Sequence, residues 1–385
     1  MRLVKRESVH AVGPRESAVP LLGEEEEIFM NIVILTGKFG MGHLSAANAL
    51  REQLVQDGHR ADIIDLFEYA LPDRAPAMYW WFNVLVTYGG VFYNIYHDLT
   101  ANDPGDGRGD ILLGGLDRLL DEYRPDVVVS THPISSAAMA RYKEEGPSDI
   151  PLVTCVTDVT CHSEWIHPGT DCYLVAGESV RRGLAAKGVD PDTVVVSGIP
   201  VSGKFRPAPR DRSGRRELLI MGGGLGLMPR RDSFYQALNA LPGVHTTILT
   251  GKNEKLYQRL HGRYEHIEAV PFTREVEKYM ARAHLMLSKP GGITCFEAIA
   301  ARLPILAWQP FLKQEQENAD FLVSHGMARI AAKEEAACLG AIRETIYDNK
   351  ALSAMERAME QTSNQLTRAA VCRVVDELAG ERVSA

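Results

Sequence analysis

Short apolar runs alternate with longer segments of helical spacing along most of the chain. Runs rich in Val, Ile, Leu and Ala predict strands at 31–36, 61–64, 126–130, 152–157, 172–175, 193–197, 217–221, 246–250, around 267, 284–287 and 304–308. The segments between them are long enough for helices, and at 44–55 and 293–303 apolar residues recur every three or four positions. Because alternating strands and helices form mostly parallel sheets, the pattern predicts an α/β protein with doubly wound sheets.

A stretch without apolar periodicity divides this pattern into two halves. Residues 198–214 are rich in Gly, Pro and Arg, which is typical of an interdomain linker. The chain has 385 residues, more than one core usually holds. We therefore predict a disordered tail at 1–30, a first Rossmann-like domain at 31–200 and a second at 201–385.

Two glycine-rich turns, each between a strand and a helix, are candidates for binding an anion. They read GKFGMGH at 37–43 and SKPGGITCFEA at 288–298. Glycine lets the backbone approach a ligand, and the free N–H groups and dipole of a helix N-terminus favour phosphate. The second turn also fits a simpler interpretation, because Thr294 and Glu297 match the S/T-x-x-E capping box. The first turn has an alternative interpretation as a dinucleotide-binding site, in which Asp65 would bind the ribose. Its spacing is G-x-x-G-x-G, however, whereas the dinucleotide fingerprint is G-x-G-x-x-G.

Composition and charge exclude some classes of function. The net charge of −8 and the pI near 5.9 argue against nucleic acid as a partner. Six scattered cysteines without a C-x-x-C pair, and an N-terminus without a signal-peptide pattern, predict a reduced cytoplasmic protein. Cys161, His162, His167 and Cys172 are zinc-ligand types, but they lack the tight paired spacing of a structural zinc site.

The segment at 77–97 complicates this soluble composition. It contains no Asp, Glu, Lys or Arg and is crowded with aromatic residues, among them Trp81. Three interpretations stay open: a core helix of the first domain, a membrane span, or a partly exposed apolar surface that touches a bilayer or a lipid substrate.

Several motifs, in matching order, resemble those of one family. They are GKFGMGH at 37–43, TDVTCHSEWIH at 157–167, GIPV at 198–201, KPGGITCFEA at 289–298 and PFLKQEQEN at 310–318. Together they resemble the glycosyltransferases that make glycosyl-diacylglycerols, namely the processive diacylglycerol glucosyltransferases and monogalactosyldiacylglycerol synthases of glycosyltransferase family 28. The resemblance covers residues 31–378.

This resemblance implies a GT-B fold, with an acceptor domain, a donor domain, a cleft between them and a last helix that crosses back to the first domain. The implied reaction is inverting transfer of glucose or galactose from a UDP-sugar to a lipid hydroxyl at the cytoplasmic membrane face, with no cofactor and no metal. The only D-x-D, at 190–192, precedes a strand as a solvated turn. Two alternatives are a soluble or polyprenyl-linked acceptor, and a UDP-sugar sensor without catalysis.

For the donor, the resemblance and the local chemistry point to the same residues. Gly291, Gly292, Ile293 and Thr294 are expected to bind the pyrophosphate, and Glu297 the ribose hydroxyls. Further expected donor contacts are Gln314 and Glu315 at the sugar, Asn318 starting the helix behind them, Gly42, Gly223 and Gly224 along the cleft, Lys252 near the phosphates and Phe272 at the uracil. The simpler alternatives are a polar loop with an N-cap for Gln314, Glu315 and Asn318, a solvated lysine for Lys252 and a core aromatic for Phe272.

For the chemistry, histidine is the side chain best suited to accept a proton near neutral pH. The resemblance places His43 as the general base, and the alternative is a hydrogen bond that only shapes the loop. Asp158 could orient a histidine or act as the base, or cap a strand end. On the acceptor side we expect His132, Trp81 and Trp165, with Trp165 offering an apolar face to the lipid.

Overall fold

The computed structural model describes residues 29–88, 94, 100, 109–146, 148–223, 226, 228, 229, 231–310, 312–366 and 370–384. Gly224 and residues 1–28 of the tail predicted at 1–30 lie outside these residues, as does most of the aromatic segment beyond residue 88. Met30, placed in the tail from the sequence, is 2% exposed and belongs to the core of the first domain, so the predicted boundary was too late.

Within the described residues, the first domain contains a six-stranded parallel sheet in the order β2–β1–β3–β4–β5–β6. The strands are β1 (Asn31–Thr36), β2 (Arg60–Asp65), β3 (Val127–Ser130), β4 (Leu152–Cys155), β5 (Cys172–Val175) and β6 (Val194–Val196). All residues of β3, β4 and β5 are buried, as expected of a parallel sheet covered on both faces.

The second domain repeats this architecture in the described part of the chain, with the order β12–β11–β10–β7–β8–β9. Its strands are β7 (Arg216–Met221), β8 (Val244–Gly251), β9 (Ile267–Pro271), β10 (Leu285–Ser288), β11 (Ile305–Trp308) and β12 (Ala328–Ala331). The short edge strand β12 was not predicted, because its two central residues, Arg329 and Ile330, are both exposed.

Helices connect the strands and cover both sheets. They are α1 (Gly42–Gln56), α2 (Leu66–Ala70), α3 (Ala75–Tyr88), α4 (Leu113–Tyr123), α5 (Pro133–Glu145), α6 (Glu178–Ala185), α7 (Asp232–Asn239), α8 (Glu254–Leu260), α9 (Val276–Arg282), α10 (Gly292–Ala301), α11 (Lys313–Ser324), α12 (Glu335–Ile346), α13 (Asn349–Gln365) and α14 (Ala370–Ser384). Short 3-10 turns occupy Asp110–Leu112, Ser163–Trp165 and Pro191–Thr193.

Both sheets change direction of winding at the point where the glycine turns lie. In the first sheet β1 pairs with β2 on one side and β3 on the other, and in the second β7 lies between β8 and β10. The crevice outside the carboxyl ends of strands at such a switch point is where open α/β sheets bind ligands. The loops after β1, β3, β7 and β10 are therefore the candidate ligand-binding loops.

The two domains share one apolar cluster. Val156 and Ile199 from the first half of the chain pack in it with Ile293, Phe296 and Phe321 from the second. The linker between β6 and β7 contains neither helix nor strand, as its composition predicts.

The last helix, α14, packs on the first sheet, where Val371 and Val375 join a cluster that contains Ile32 and Leu54. The chain thus crosses between the two domains twice.

The aromatic segment begins with α3, which is only partly core. Met78 and Tyr79 pack against the first domain, whereas Trp80 and Trp81 are 58% and 64% exposed. Among the described residues, no helix combines the length and hydropathy that crossing a bilayer requires.

Candidate active site

His43 stands in the first turn of α1, directly after the first glycine turn. Its Nδ1 lies 2.7 Å from the carbonyl oxygen of Thr131 and 3.0 Å from the Thr157 hydroxyl. Since a carbonyl oxygen can only accept, Nδ1 carries the proton and donates to Thr131. The other ring nitrogen, Nε2, is then a free proton acceptor with no hydrogen-bond partner among the described residues.

The environment keeps this imidazole neutral. Burial lowers the pKa of His43 to about 4, and the bond to Thr131 offsets only part of that effect. An imidazole with this pKa is unprotonated at neutral pH. His43 is therefore in the form that a general base needs.

His132 and Trp165 surround the His43 ring and are themselves buried. The His132 ring lies 4.7 Å from that of His43, and the Trp165 ring 6.3 Å. Burial, and then the neighbouring His43, hold the pKa of His132 well below its usual range. Trp165 is only 2% exposed, so the expectation that it offers a free apolar face was wrong: it packs beneath the site.

The second glycine turn forms the N-terminus of α10, but its first two amide groups already have partners. Gly291 N–H donates to Lys289 O at 2.9 Å, and Gly292 N–H donates to Asp158 Oδ1 at 3.2 Å. Both glycine amides are therefore engaged within the protein in this structure, and their binding of phosphate stays a prediction. Ile293 and Thr294 follow in the first turn, where N–H groups have no intrahelical acceptor.

The two glycines differ in their surroundings. A Cβ added at Gly291 would meet no atom within 4 Å, whereas one at Gly292 would lie 2.2 Å from the Thr157 carbonyl oxygen. Gly291 faces open space suited to a ligand. Gly292 allows the backbone of one domain to touch the other.

Asp158, Asn318 and Gly292 form a contact between the domains that we call the interdomain latch. Asn318 Nδ2 donates to Asp158 Oδ1 at 2.9 Å and to Pro290 O at 3.0 Å, while its Oδ1 accepts from Val159 N–H at 2.8 Å. Burial raises the pKa of Asp158 to about 7, against the lowering effect of its two hydrogen bonds. The latch places a titratable carboxyl group at the N-terminus of α10.

The capping-box interpretation of Thr294 and Glu297 was wrong. The N-cap of α10 is Gly291, and no side chain caps the helix. Glu297 lies one turn further along, half-buried, and forms no hydrogen bond with a described residue. Burial, and then the neighbouring Glu277, raise the pKa of its carboxyl group to about 8. Its oxygens thus remain available to a ligand.

The segment interpreted as a polar loop forms α11 from Lys313 onwards, so that interpretation was wrong. Gln314 and Glu315 lie in the first turn, and Glu315 is buried with Oε1 2.6 Å from Lys289 Nζ. Asn318 is the sixth residue of this helix and does not start it. The helix aims Glu315 and Asn318 at the second glycine turn.

The remaining predicted residues lie around the cleft at varying depth. A Cβ at Gly42 would lie 3.6 Å from Ile293 Cγ1, so the two glycine turns face each other. Gly223 follows β7 with a φ of +70°, and a Cβ added there would meet no described atom within 4 Å. Lys252 is exposed after β8. Phe272 is 47% exposed after β9, which excludes a core aromatic.

Two alternative interpretations lose their support. Asp65 is the N-cap of α2: its Oδ1 accepts from the amides of Phe67 and Glu68, and its Oδ2 is buried, so neither carboxylate oxygen is placed to bind a ribose. Of the zinc-ligand types, His162 accepts from Glu164 N–H and His167 Nε2 bonds Glu164 O. Within the described ranges, no three such ligands converge at the cleft.

Sequence reasoning missed three residues that shape the site. Thr131 and Thr157 orient His43, and Lys289 pairs with Glu315. Thr131 and Thr157 each precede a predicted site residue, His132 or Asp158, just beyond the carboxyl end of β3 or β4. A position just after the carboxyl end of a parallel strand was the signal from which these two threonines could have been predicted.

Known proteins match both halves of the chain. A family model for monogalactosyldiacylglycerol (MGDG) synthase matches residues 43–201, and one for the glycosyltransferase family 28 C-terminal domain matches residues 218–371. The processive diacylglycerol beta-glucosyltransferase of Staphylococcus carnosus is 29% identical over 362 residues, covering 89% of this chain and 91% of that protein. That of Bacillus pumilus is 26% identical over 347 residues, covering 86% and 90%.

The architecture matches solved structures as well. The glycosyltransferase of kitacinnamycin aligns with a TM-score of 0.63 at 15% identity, covering 90% of this chain and 98% of that one. The first domain thus matches the monogalactosyldiacylglycerol synthase model and the second the glycosyltransferase family 28 C-terminal model, and the protein is a glycosyltransferase with the GT-B fold.

Proposed function

We propose that the protein transfers glucose or galactose from a UDP-sugar to a hydroxyl group of a diacylglycerol-type lipid, with inversion at the anomeric carbon. The observation that carries this proposal is the meeting of the two glycine turns, with Gly42 next to Ile293. The residue after Gly42 is the neutral His43, so this contact brings a candidate base of one domain close to a helix N-terminus of the other. These are the two groups that sugar transfer from a nucleotide needs.

In the proposed reaction His43 Nε2 accepts the proton of the lipid hydroxyl as its oxygen attacks the anomeric carbon. The bond between that carbon and the UDP oxygen breaks, and UDP leaves with the charge that develops. A single displacement inverts the anomeric configuration. The N-terminus of α10 stabilises the leaving pyrophosphate through the amides of Ile293 and Thr294 and the Thr294 hydroxyl.

The rest of the donor is assigned to side chains near α10. Glu297 accepts from the ribose hydroxyls, and Phe272 stacks on the uracil. Gln314 and Glu315 bind the sugar hydroxyls, with Lys289 holding Glu315 in place. Asp158 acts as a positioning residue, because its Oδ1 is committed to Gly292 and Asn318.

For the acceptor, the names of the relatives, diacylglycerol glucosyltransferase and monogalactosyldiacylglycerol synthase, support a lipid. The structure offers an apolar approach to His43. Phe39 of the first glycine turn packs edge-on against Tyr79 and Phe82 of α3, at 4.8 and 5.2 Å, and α3 exposes Trp80 and Trp81. We assign this aromatic face to the lipid and the membrane surface.

The proposal is tested by measuring UDP release from UDP-glucose and UDP-galactose, with diacylglycerol vesicles or with a soluble acceptor. We expect transfer only when the vesicles are present. We also expect the α-linked donor to give a β-glycoside. Transfer to the soluble acceptor alone would contradict the lipid assignment. UDP-sugar binding without turnover under all conditions would favour a sensor.

A further inference from the structure

Asp57, His59 and Asp376 form a cluster far from the cleft. Asp57 ends α1 and His59 immediately precedes β2, so both lie at the amino edge of the first sheet, opposite the active site. Asp376 comes from α14, the helix that returns from the second domain. One donor atom from each residue lies within 4.8 Å of the other two.

The histidine in this cluster is buried and has no hydrogen bond. The His59 side chain is 4% exposed, and neither Nδ1 nor Nε2 has a hydrogen-bond partner in the structure. Buried polar atoms in folded proteins are nearly always paired, so two orphaned ring nitrogens call for an explanation.

The distances match those between ligands of one metal ion. His59 Nε2 lies 3.7 Å from Asp57 Oδ2 and 3.5 Å from Asp376 Oδ1, both longer than a good hydrogen bond. Zinc bonds of about 2.0–2.2 Å in a tetrahedron place neighbouring ligand atoms about 3.3–3.6 Å apart. Small side-chain shifts would bring all three atoms into a coordination sphere.

The composition of the cluster indicates the class of cation. One imidazole and two carboxylates suit a first-row divalent metal such as Zn²⁺. Both carboxylates are about half-exposed, which leaves an entry path and room for water as a further ligand. The Cys372 thiol, hydrogen-bonded to Asp57, adds a soft group at the edge of the cluster.

We propose that Asp57, His59 and Asp376 bind a divalent transition-metal cation, of which Zn²⁺ is the probe, and that this ion fastens α14 to the first domain. The site is structural: it lies at the opposite edge of the sheet from His43. Its loss therefore weakens the attachment of the returning helix and leaves the active-site residues in place.

The test uses the full chain, stripped with a chelator and then equilibrated with buffered Zn²⁺. We expect one bound zinc per chain by elemental analysis, and a melting temperature at least about 2 °C higher than that of the stripped protein. Asp376→Asn should lower zinc affinity by more than about 100-fold, because losing a ligand costs more than losing an outer-shell partner.

Glu377→Gln is the matched control, since it removes one carboxylate from the next position of the same helix, where the side chain is 65% exposed. It should bind zinc like the wild type. Equal zinc binding by Asp376→Asn and wild type would overturn the proposal. The proposal would also be overturned if zinc left the stability unchanged and the stability instead depended on pH, as expected of an ion pair between the His59 imidazolium and the carboxylates.

Discussion

At the scale of single residues, the site depends on hydrogen bonds that fix which atom of a side chain is reactive. His43 could be selected from the sequence, because it ends a glycine turn. Its tautomer could not, because it is set by Thr131 and Thr157, which follow β3 and β4 and lie 88 and 114 residues away in the chain. The role of Glu297 could not be read from the sequence either. Because α10 already starts at Gly292, Glu297 takes no part in capping the helix.

Replacing His43 by Ala should reduce turnover by about 10²–10⁴-fold, the usual contribution of a positioned general base. UDP binding should stay within about twofold, since His43 belongs to the other domain. Steady-state kinetics and calorimetry measure the two quantities. Thr157→Val, which removes only the second contact to Nδ1, is the milder control. A turnover unchanged by His43→Ala would remove this residue from the catalytic role.

The pKa of Glu297, raised to about 8 by burial, predicts that UDP affinity depends on pH. The ribose hydroxyls donate to the ionised carboxylate, so binding favours the deprotonated form. Affinity should therefore increase as pH rises from 7 to 9, by up to about tenfold, and level off above 9.

Glu297→Gln should abolish this pH dependence and weaken UDP binding at pH 8.5. Calorimetric titrations of both proteins across the pH range make the comparison. Wild-type affinity in the variant would show that Glu297 does not touch the ribose.

At the scale of elements, the glycine turns and every strand except β12 were predictable, whereas α11 was not. Its first turn, Lys313 to Gln316, is entirely polar, and the residues that pack, Ala319, Phe321 and Leu322, come only later. Asn318 is polar and yet wholly buried, because two of its partners, Asp158 and Val159, come from the other domain. A pattern of apolar positions cannot reveal a buried polar residue of this kind.

Asn318→Ala should destabilise the protein by about 2–3 kcal/mol, because it leaves Val159 N–H, Pro290 O and Asp158 without their buried partner. The midpoint of urea unfolding measures this loss. Gln316→Ala on the same helix is the control, since the Gln316 side chain is exposed and donates to Asp320, another exposed residue of α11. Equal midpoints for the two variants would show that the latch adds no stability.

At the scale of the whole molecule, the alternation of strands and helices predicted the architecture, and the motifs predicted the GT-B family. The way the domains meet was beyond the sequence. Asp158 and Gly292 are 134 positions apart, and neither has a local feature that points to the other. Contacts of this kind depend on the relative placement of two finished domains.

Donor binding should shift the protein towards the closed arrangement, because the UDP-sugar would contact α10 while the acceptor domain covers it. Small-angle scattering should then give a smaller radius of gyration with UDP-sugar than without it. Asn318→Ala without donor should give a larger radius than the wild type. Identical profiles in all three cases would contradict closure.

The path of α14 has a consequence for the order of folding. Val371 and Val375 complete a cluster that includes Ile32 and Leu54, yet they are made last. During synthesis the first domain leaves the ribosome with that apolar face uncovered, and it stays so until the whole second domain has been translated. We therefore expect the isolated N-terminal half to be prone to aggregation, and donor-domain chimeras to require that α14 stays with the first domain.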